Sequence, residues 1–449
     1  MSVIPVIQAA DLEGRIQLGE IKKRLSLEPL FLNNSGATNS VRQIIYDVRR
    51  RGDQAVVDYT AKFDQIELKP QMLAVSEKQI TAAVKNSSPK FLAALDKAIA
   101  NVRRYQKAML PPEPSPIKPD GAASGSKASL AVRYVPLDRV GVYVPGGAAA
   151  YPSTVVMTVV PAQVAGVKNI CLCSPMRGGS VSYAVLAAAG RLGVREVYAV
   201  GGAQAIAAMA FGTESIPRVD KIVGPGNLYV QLAKKELFGV VDIDSFAGPS
   251  EVVVLADDSA SPAVVAAELL AQAEHAPGSC ILITASQTLA QKVQAEVDWQ
   301  IAKLSRQHLT VEALKFASAI VVTADKESAI SEVNALAPEH LQICTRSARQ
   351  DAKKITNAGA IFIGPFTPVA AGDYVAGPSH VLPTSGTARF FSGLSAENFR
   401  KRISIVELDE SSLDKLSSTI AELAKTEGFD AHARSVEIRR EQKSKGKKG

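Results

Sequence analysis

The stretch Val140-Gly-Val-Tyr-Val144-Pro-Gly-Gly147 decides the fold, because an apolar run of strand character stops abruptly at a proline and two glycines. Residues 153–164 then carry helical spacing, and Asn169-Ile-Cys-Leu-Cys173 is a second apolar strand, so the segment predicts a βαβ unit. A second unit follows, with a strand at 196–200, the turn Gly201-Gly202, a helix at 203–211 and the short strand Lys221-Ile-Val223 before Gly224-Pro-Gly-Asn227. Alternation of this kind predicts a parallel, doubly wound sheet whose ligand lies at the carboxyl ends of the strands.

Downstream, residues 252–255, 280–284, 319–322, 341–345 and 360–363 are strand-like with helices between most of them, which predicts a second α/β core. Upstream, residues 1–110 read as mostly helical, with amphipathic spacing over 40–63 and 88–109. Residues 111–129, dense in Pro, Gly and Ser, break every period and read as an exposed loop or boundary. After Pro383 the apolar density falls, and an amphipathic helix over 413–425 leads to Glu427 and His432. Such an appendage buries little by itself and suits packing on a partner chain.

With 449 residues, 47% of them hydrophobic, the chain can build two or three cores and is too rich in aliphatics to be disordered. No apolar run of membrane-spanning length escapes a break, and Met1-Ser-Val-Ile-Pro5 lacks the basic start of a signal peptide. A cytoplasmic protein without a membrane role is expected. Cys171, Cys173, Cys280 and Cys344 sit in or beside apolar strand-like runs, away from any zinc or disulfide spacing, and read as buried reduced thiols. The net charge of +7 is concentrated at the end: residues 434–449 hold seven basic and two acidic side chains, leaving +2 for the rest. A lysine tail with no apolar anchor reads as a solvated terminus, and no nucleic-acid partner is expected.

The chemistry gathers around scarce histidines. Four of the five lie near a carboxylate or amide in short motifs bounded by proline or glycine: His275, His340, His380 and His432. Ser261-Pro262 starts a helix and Pro277-Gly278 stops it, so Gln272 and His275 are expected in one last turn on one face. A helix C-terminus favours imidazolium whereas metal binding needs the neutral ring, and a nearby dication would resolve that conflict. A zinc ion with an open position needs about two more protein ligands, for which Asp373, expected in a glycine-bearing loop, and His432 are the candidates. Pro338 ends a helix just before Glu339 and His340. These adjacent residues are expected to divide the proton work, one taking the substrate hydroxyl proton and the other activating water. Around Tyr143, Gln204 and Asn227, three glycine turns make a cofactor cleft plausible, although none completes the Gly-x-Gly-x-x-Gly fingerprint and no Walker loop is present.

At Gly141-Val-Tyr143-Val-Pro-Gly-Gly147, Gly201-Gly-Ala-Gln204-Ala, Gly224-Pro-Gly-Asn227, Ala247-Gly-Pro-Ser250-Glu251, Gln272-Ala-Glu-His275, Pro338-Glu339-His340-Leu and Gly372-Asp373-Tyr374…Ser379-His380-Val-Leu-Pro383-Thr384, the chain closely resembles the histidinol dehydrogenase family. The resemblance implies four-electron oxidation of L-histidinol, through the aldehyde, to L-histidine, with NAD and one Zn2+ per subunit. It implies that Gln272, His275, Asp373 and His432 ligate zinc and contact substrate together with Ser250, Glu339, His340 and Glu427. Glu339 and His340 would be catalytic, and Tyr143, Gln204 and Asn227 would bind NAD. It further implies a homodimer with shared sites, Glu427 and His432 coming from the neighbouring subunit.

The expected architecture is α/β: two doubly wound, incomplete Rossmann-like parallel-sheet domains with small terminal segments. Residues 1–28 would form an N-terminal helical segment, 136–244 the NAD-binding domain, 29–135 with 245–384 the zinc and substrate domain, and 385–449 a dimerisation appendage with the basic tail. Because no cysteine lies in a motif, water attack on the aldehyde is expected in place of a thiohemiacetal. Residues 111–129, the lysine tail and Asp244-Ser-Phe246 depart from what the resemblance implies. The alternative is a zinc and NAD dehydrogenase of the same family acting on another small polyol or amino alcohol.

Overall fold

The computed structural model describes residues 2–120, 122, 125–146, 150–274 and 278–446. The chain forms two compact units, one of Met1–Leu110 with Leu137–Phe399 and one of Pro111–Pro136 with Arg400–Gly449. Among the described residues the strands in chain order are β1 (Val6–Gln8), β2 (Ser129–Pro136), β3 (Arg139–Tyr143), β4 (Asn169–Cys173), β5 (Glu196–Tyr198), β6 (Lys221–Val223), β7 (Asp242–Ile243), β8 (Ser250–Ala256), β9 (Gly278–Thr284), β10 (Ala319–Val322), β11 (His340–Cys344), β12 (Ala360–Ile363) and β13 (Arg400–Glu407).

The first unit holds two parallel sheets, ordered β5-β4-β3-β6-β7 and β1-β10-β9-β8-β11-β12. Their strands are uninterrupted apolar runs such as Val252-Val-Val-Leu-Ala256, which is the pattern of strands covered on both faces. On one face of the longer sheet lie Val265 and Leu269 of helix Pro262–Ala273 and Val293 and Val297 of helix Gln287–Ile301. Leu18 and Ile21 of helix Leu12–Leu25 and Ile330 and Val333 of helix Lys326–Leu336 cover the other. The shorter sheet is sandwiched in the same way, and both predicted α/β cores are present.

Three boundaries differ from the sequence expectation. Val41, Ile44 and Val48 of helix Ser35–Arg51, and Val56 and Val57 of helix Asp53–Asp64, pack against Cys171, Ile206 and Ile222 of the shorter-sheet half. Residues 29–110 therefore do not accompany 245–384. Amphipathic spacing marks an apolar face, and it is silent about which sheet that face covers. Residues 1–28 are more than a helical segment, since β1 pairs in parallel with β10. Leu394, Ala396 and Phe399 are buried in the first unit's core, so residues 385–399 stand apart from the appendage. The second unit instead recruits residues 111–136, where β2 forms an eight-residue antiparallel ribbon with β13. It is completed by helices Glu410–Thr426 and Asp430–Gly446.

The turn after β6 is held by a buried ion pair. Gly224 has φ +113°, and a Cβ there would lie 2.1 Å from the Tyr143 carbonyl oxygen, so only glycine lets the turn rest on the end of β3. Asp244 Oδ2 accepts the Gly224 N–H at 2.7 Å, and Lys234 Nζ donates to the Gly224 carbonyl at 3.1 Å and to Asp244 Oδ1. Lys234 and Asp244 are both buried. Among the described residues no helix is long and apolar enough to cross a membrane. Lys234→Met strands the Asp244 carboxylate and should lower stability by about 3–5 kcal/mol in denaturant unfolding. A loss of about 1 kcal/mol or less, as for a surface pair, would contradict this role.

Candidate active site

The amino ends of β8, β9 and β11 meet in register, with His340 opposite Val252 and Ser250 opposite Gly278. Helix Lys326–Leu336 ends on Ala337 in the left-handed region at φ 51°, and Pro338 blocks its continuation. Glu339 and His340 thereby enter the amino end of β11 buried, at 6% and 4% exposure. Glu339 Oε2 accepts the Ser250 hydroxyl at 2.6 Å and the Glu251 N–H at 2.9 Å. His340 Nδ1 lies 3.0 Å from the Glu251 carbonyl oxygen and 3.5 Å from Glu339 Oε2, so its N–H goes to the carbonyl. The Nε2 atom faces Asp373 Oδ1 at 3.4 Å but is buried without a hydrogen bond of good geometry.

Burial alone would depress the His340 pKa, but the charge of Glu339 and the closeness of Asp373 outweigh it and hold the imidazole well above its ordinary 6.5. Burial, reinforced by the Glu339 charge, pushes the Glu251 carboxyl up to about 8, although it accepts the Ser385 N–H at 2.6 Å. Glu251 is a site residue that the sequence reading did not assign, although it lies inside the Ala247–Glu251 motif. An acid opening an otherwise apolar strand was the available signal.

Asp373 sits on the short helix Val369–Tyr374, where a glycine-bearing loop was expected. Glu268 Oε2 accepts the Val369 N–H at 3.1 Å and so closes the start of that helix. His380 Nδ1 lies 3.0 Å from the Asp373 carbonyl oxygen and Nε2 lies 3.2 Å from Thr154 Oγ1. Burial holds the His380 pKa below its ordinary value, which makes it a neutral bracket for Asp373. Gln272 is buried near the end of helix Pro262–Ala273, and its Nε2 has no hydrogen-bond partner. A Cβ built on Gly278 would lie 3.7 Å from that atom and 3.4 Å from the Ser250 carbonyl oxygen, which places the Gln272 amide beside Ser250. His275 lies outside the described residues. Among the described residues no group of three His, Cys, Asp or Glu side chains is arranged to hold a metal. Asp373 Oδ1 and His340 Nε2 face each other at 3.4 Å, and the buried Gln272 amide stands near a helix C-terminus whose negative dipole end favours a cation; the amide oxygen, and not the orphaned Nε2, is the atom that could ligate one.

Tyr143, Gln204 and Asn227 line one cavity of about 580 Å³ with Ile44, Asp64 and Arg177, within the usual range for small-molecule sites. The Tyr143 hydroxyl accepts the Gly202 N–H at 3.1 Å, and burial pushes its pKa up to about 12. Asn227 caps helix Leu228–Leu237 by accepting the Val230 N–H at 3.2 Å. Gln204 is 1% exposed and its Oε1 has no hydrogen-bond partner. This cavity occupies the carboxyl ends of β3 and β6, where chain order reverses in the shorter sheet, as predicted. The His340 cluster lies instead at the amino ends of the longer sheet. The rule rests on helix N-termini receiving anions, and here a helix C-terminus arrives. Glu427 and His432 belong to the second unit, at the junction of its two helices, and both are exposed in the single chain.

These parts define an α/β fold with a histidine and acids buried together at one end of a parallel sheet. Residues 31–440 match the family model described as histidinol dehydrogenase. A histidinol dehydrogenase of Rhodopirellula baltica is 48% identical over 402 residues, covering 89% of this chain and 86% of the relative. One from Bacillus subtilis is 47% identical over 426 residues, covering 94% and 98%. The crystal structure of histidinol dehydrogenase from Elizabethkingia anophelis superposes with a TM-score of 0.89 at 33% identity, covering 99% of each chain. The chain belongs to the histidinol dehydrogenase family, and is thus an oxidoreductase of histidine biosynthesis.

Folded Glu251 holds a proton that the unfolded chain, near the ordinary 4.5, releases. Its contribution to stability is therefore complete below about pH 4.5 and fades as pH rises through about 8. Glu251→Gln cannot release that proton, so its stability relative to the parent chain should rise from about pH 5 to about pH 8 in urea unfolding. A constant difference across that window would contradict the assignment.

Proposed function

We propose that the chain oxidises L-histidinol through L-histidinaldehyde to L-histidine with NAD and zinc, in a homodimer whose sites are shared. The observation that carries the chemistry is the fixed tautomer of His340. With its Nδ1–H committed to the Glu251 carbonyl, the neutral ring presents the Nε2 lone pair, which lacks a well-formed hydrogen bond, to the site. His340 takes the carbinol proton at Nε2 in the first oxidation. Glu339 Oε2 is committed to Ser250 and Glu251, so Glu339 receives the proton of the attacking water at Oε1. His340 passes its first proton to solvent and, neutral again at Nε2, takes the hydrate's proton in the second oxidation. NAD, held by Tyr143, Gln204 and Asn227, supplies the hydride acceptor for each step. Zinc, held by Gln272, His275, Asp373 and His432 of a second copy, supplies a positive charge for the substrate's imidazole, amine and carbinol.

The cysteines support the water route. All four are free and buried, and burial pushes Cys171 and Cys280 up to about 12 and Cys344 up to about 11, with Cys173 also raised, so none is a thiolate near neutral pH. Shared sites are supported by the exposure of Glu427 and His432 beside exposed Leu423 and Phe429, since lone exposed ligands beside apolar side chains suit burial against another copy. The relatives named histidinol dehydrogenase support the substrate.

Assay of purified protein with L-histidinol should yield two NADH per substrate, and His340→Ala should depress both oxidations by roughly 100- to 10,000-fold. Because the imidazole pKa is raised and the base must be neutral, kcat/KM should climb with pH into the alkaline range. One NADH per substrate would refute the four-electron reaction. Turnover near wild type in His340→Ala would refute the role of the histidine.

A further inference from the structure

The cavity at the carboxyl ends of β3 and β6 contains an acid that the proposed chemistry leaves unused. Asp64 is the last residue of helix Asp53–Asp64 and lines the cavity beside Phe63, with Ile44 of the preceding helix on the same wall. Its Oδ2 is buried and has no hydrogen-bond partner. Burial raises its pKa above the ordinary carboxylate value, with no compensating donor. Tyr143 is close enough for the Asp64 charge to act on its hydroxyl. Gln204, on the same cavity wall, presents a second buried oxygen without a partner.

Two acceptor oxygens that both lack donors cost free energy in the empty chain, and a ligand bringing two hydroxyls would recover it. A carboxylate only accepts, so it selects O–H or N–H groups and repels a phosphate placed against it. Arg177 lines the same cavity and is the cation that would draw a phosphate, so the two side chains favour opposite cofactors. The geometry favours the hydroxyls, because the buried and unsatisfied atoms are the two acceptors.

We infer that Asp64, with Gln204, accepts the two hydroxyls of one ribose of the bound dinucleotide and thereby sets the preference for NAD over its 2′-phosphorylated form. This rests on the proposed placement of NAD in the cavity. Asp64 is a specificity residue and touches no reacting atom, so its loss should appear in cofactor affinity and leave the chemistry of bound substrate alone.

The test measures cofactor binding by isothermal titration calorimetry without substrate, together with steady-state kinetics, on full-length, zinc-loaded protein and on Asp64→Asn, with Gln204→Ala as control. NAD, NADP and two analogues, lacking one hydroxyl on the adenosine or on the nicotinamide ribose, serve as cofactors. Wild type should discriminate against one deoxy analogue by about tenfold or more, as expected where removing a ligand hydroxyl leaves buried groups unpaired. Asp64→Asn should lose that discrimination, raise the KM for NAD, narrow the gap to NADP, and keep kcat and the KM for L-histidinol. A helix-end role alone would lower stability while leaving the analogue ratio intact, which would overturn the inference. If Gln204→Ala raises the KM for NAD and Asp64→Asn does not, the cavity is correct and Asp64 is idle. If neither changes it, the placement of NAD itself is wrong.

Discussion

Glu339 and Glu251 are buried on neighbouring strand ends with a histidine against them, and the rest of the site depends on that crowding being tolerated. The Ser250 hydroxyl and the Glu251 N–H satisfy one oxygen of Glu339, and the Glu251 carbonyl fixes the imidazole of His340. Glu251 relieves the repulsion by staying protonated up to about pH 8. With Glu251 neutral, the His340 imidazole is left between Glu339 and Asp373, whose carboxylates lie 3.5 and 3.4 Å from its two nitrogens and favour the imidazolium. Every one of these contacts follows from the pairing of β8 with β11, since a one-residue slip would turn Glu339 and His340 to opposite faces.

The two sheets of the first unit use their ends differently, and helix polarity accounts for the division. Helices Gly202–Phe211 and Leu228–Leu237 begin at the carboxyl ends of the shorter sheet, where their amino termini favour anions such as a pyrophosphate. In the longer sheet, helix Pro262–Ala273 ends beside β9 and brings partial negative charge together with Gln272 to the side already occupied by Glu339 and Asp373. One end therefore suits a dinucleotide and the other a cation. A reaction needing both can draw on both within a single fold.

Much of this was legible in the chain. The βαβ rhythm, the strands at 169–173, 319–322 and 360–363, and the helix stop at Pro338 follow from apolar runs and from backbone restrictions, which are local. The motif residues Ser250, Glu339 and His340 converge because each stands at or just before the start of a strand, and Asp373 reaches them from the helix Val369–Tyr374. What sequence could not carry was the partner of each face. Helix Ser35–Arg51 has an apolar stripe that fits either sheet, and nothing local marks the side of a sheet on which a site will open. Asp373 was placed in a loop because Gly372 precedes it, whereas Glu268, about a hundred residues earlier, holds the helix start. Asp64 reads as an ordinary helix-end acid until its empty acceptor is seen beside Gln204.

On the proposed function, the amino ends of β8, β9 and β11 form a cation site while the carboxyl ends of β3 and β6 receive the dinucleotide. Anomalous diffraction at the zinc edge from crystals of the zinc- and NAD-loaded protein tests it most directly. One strong peak per subunit is expected, bonded to Gln272 and Asp373 near His340, with the dinucleotide in the cavity of Tyr143 and Gln204. A peak elsewhere, or a dinucleotide lying along the longer sheet, would contradict it.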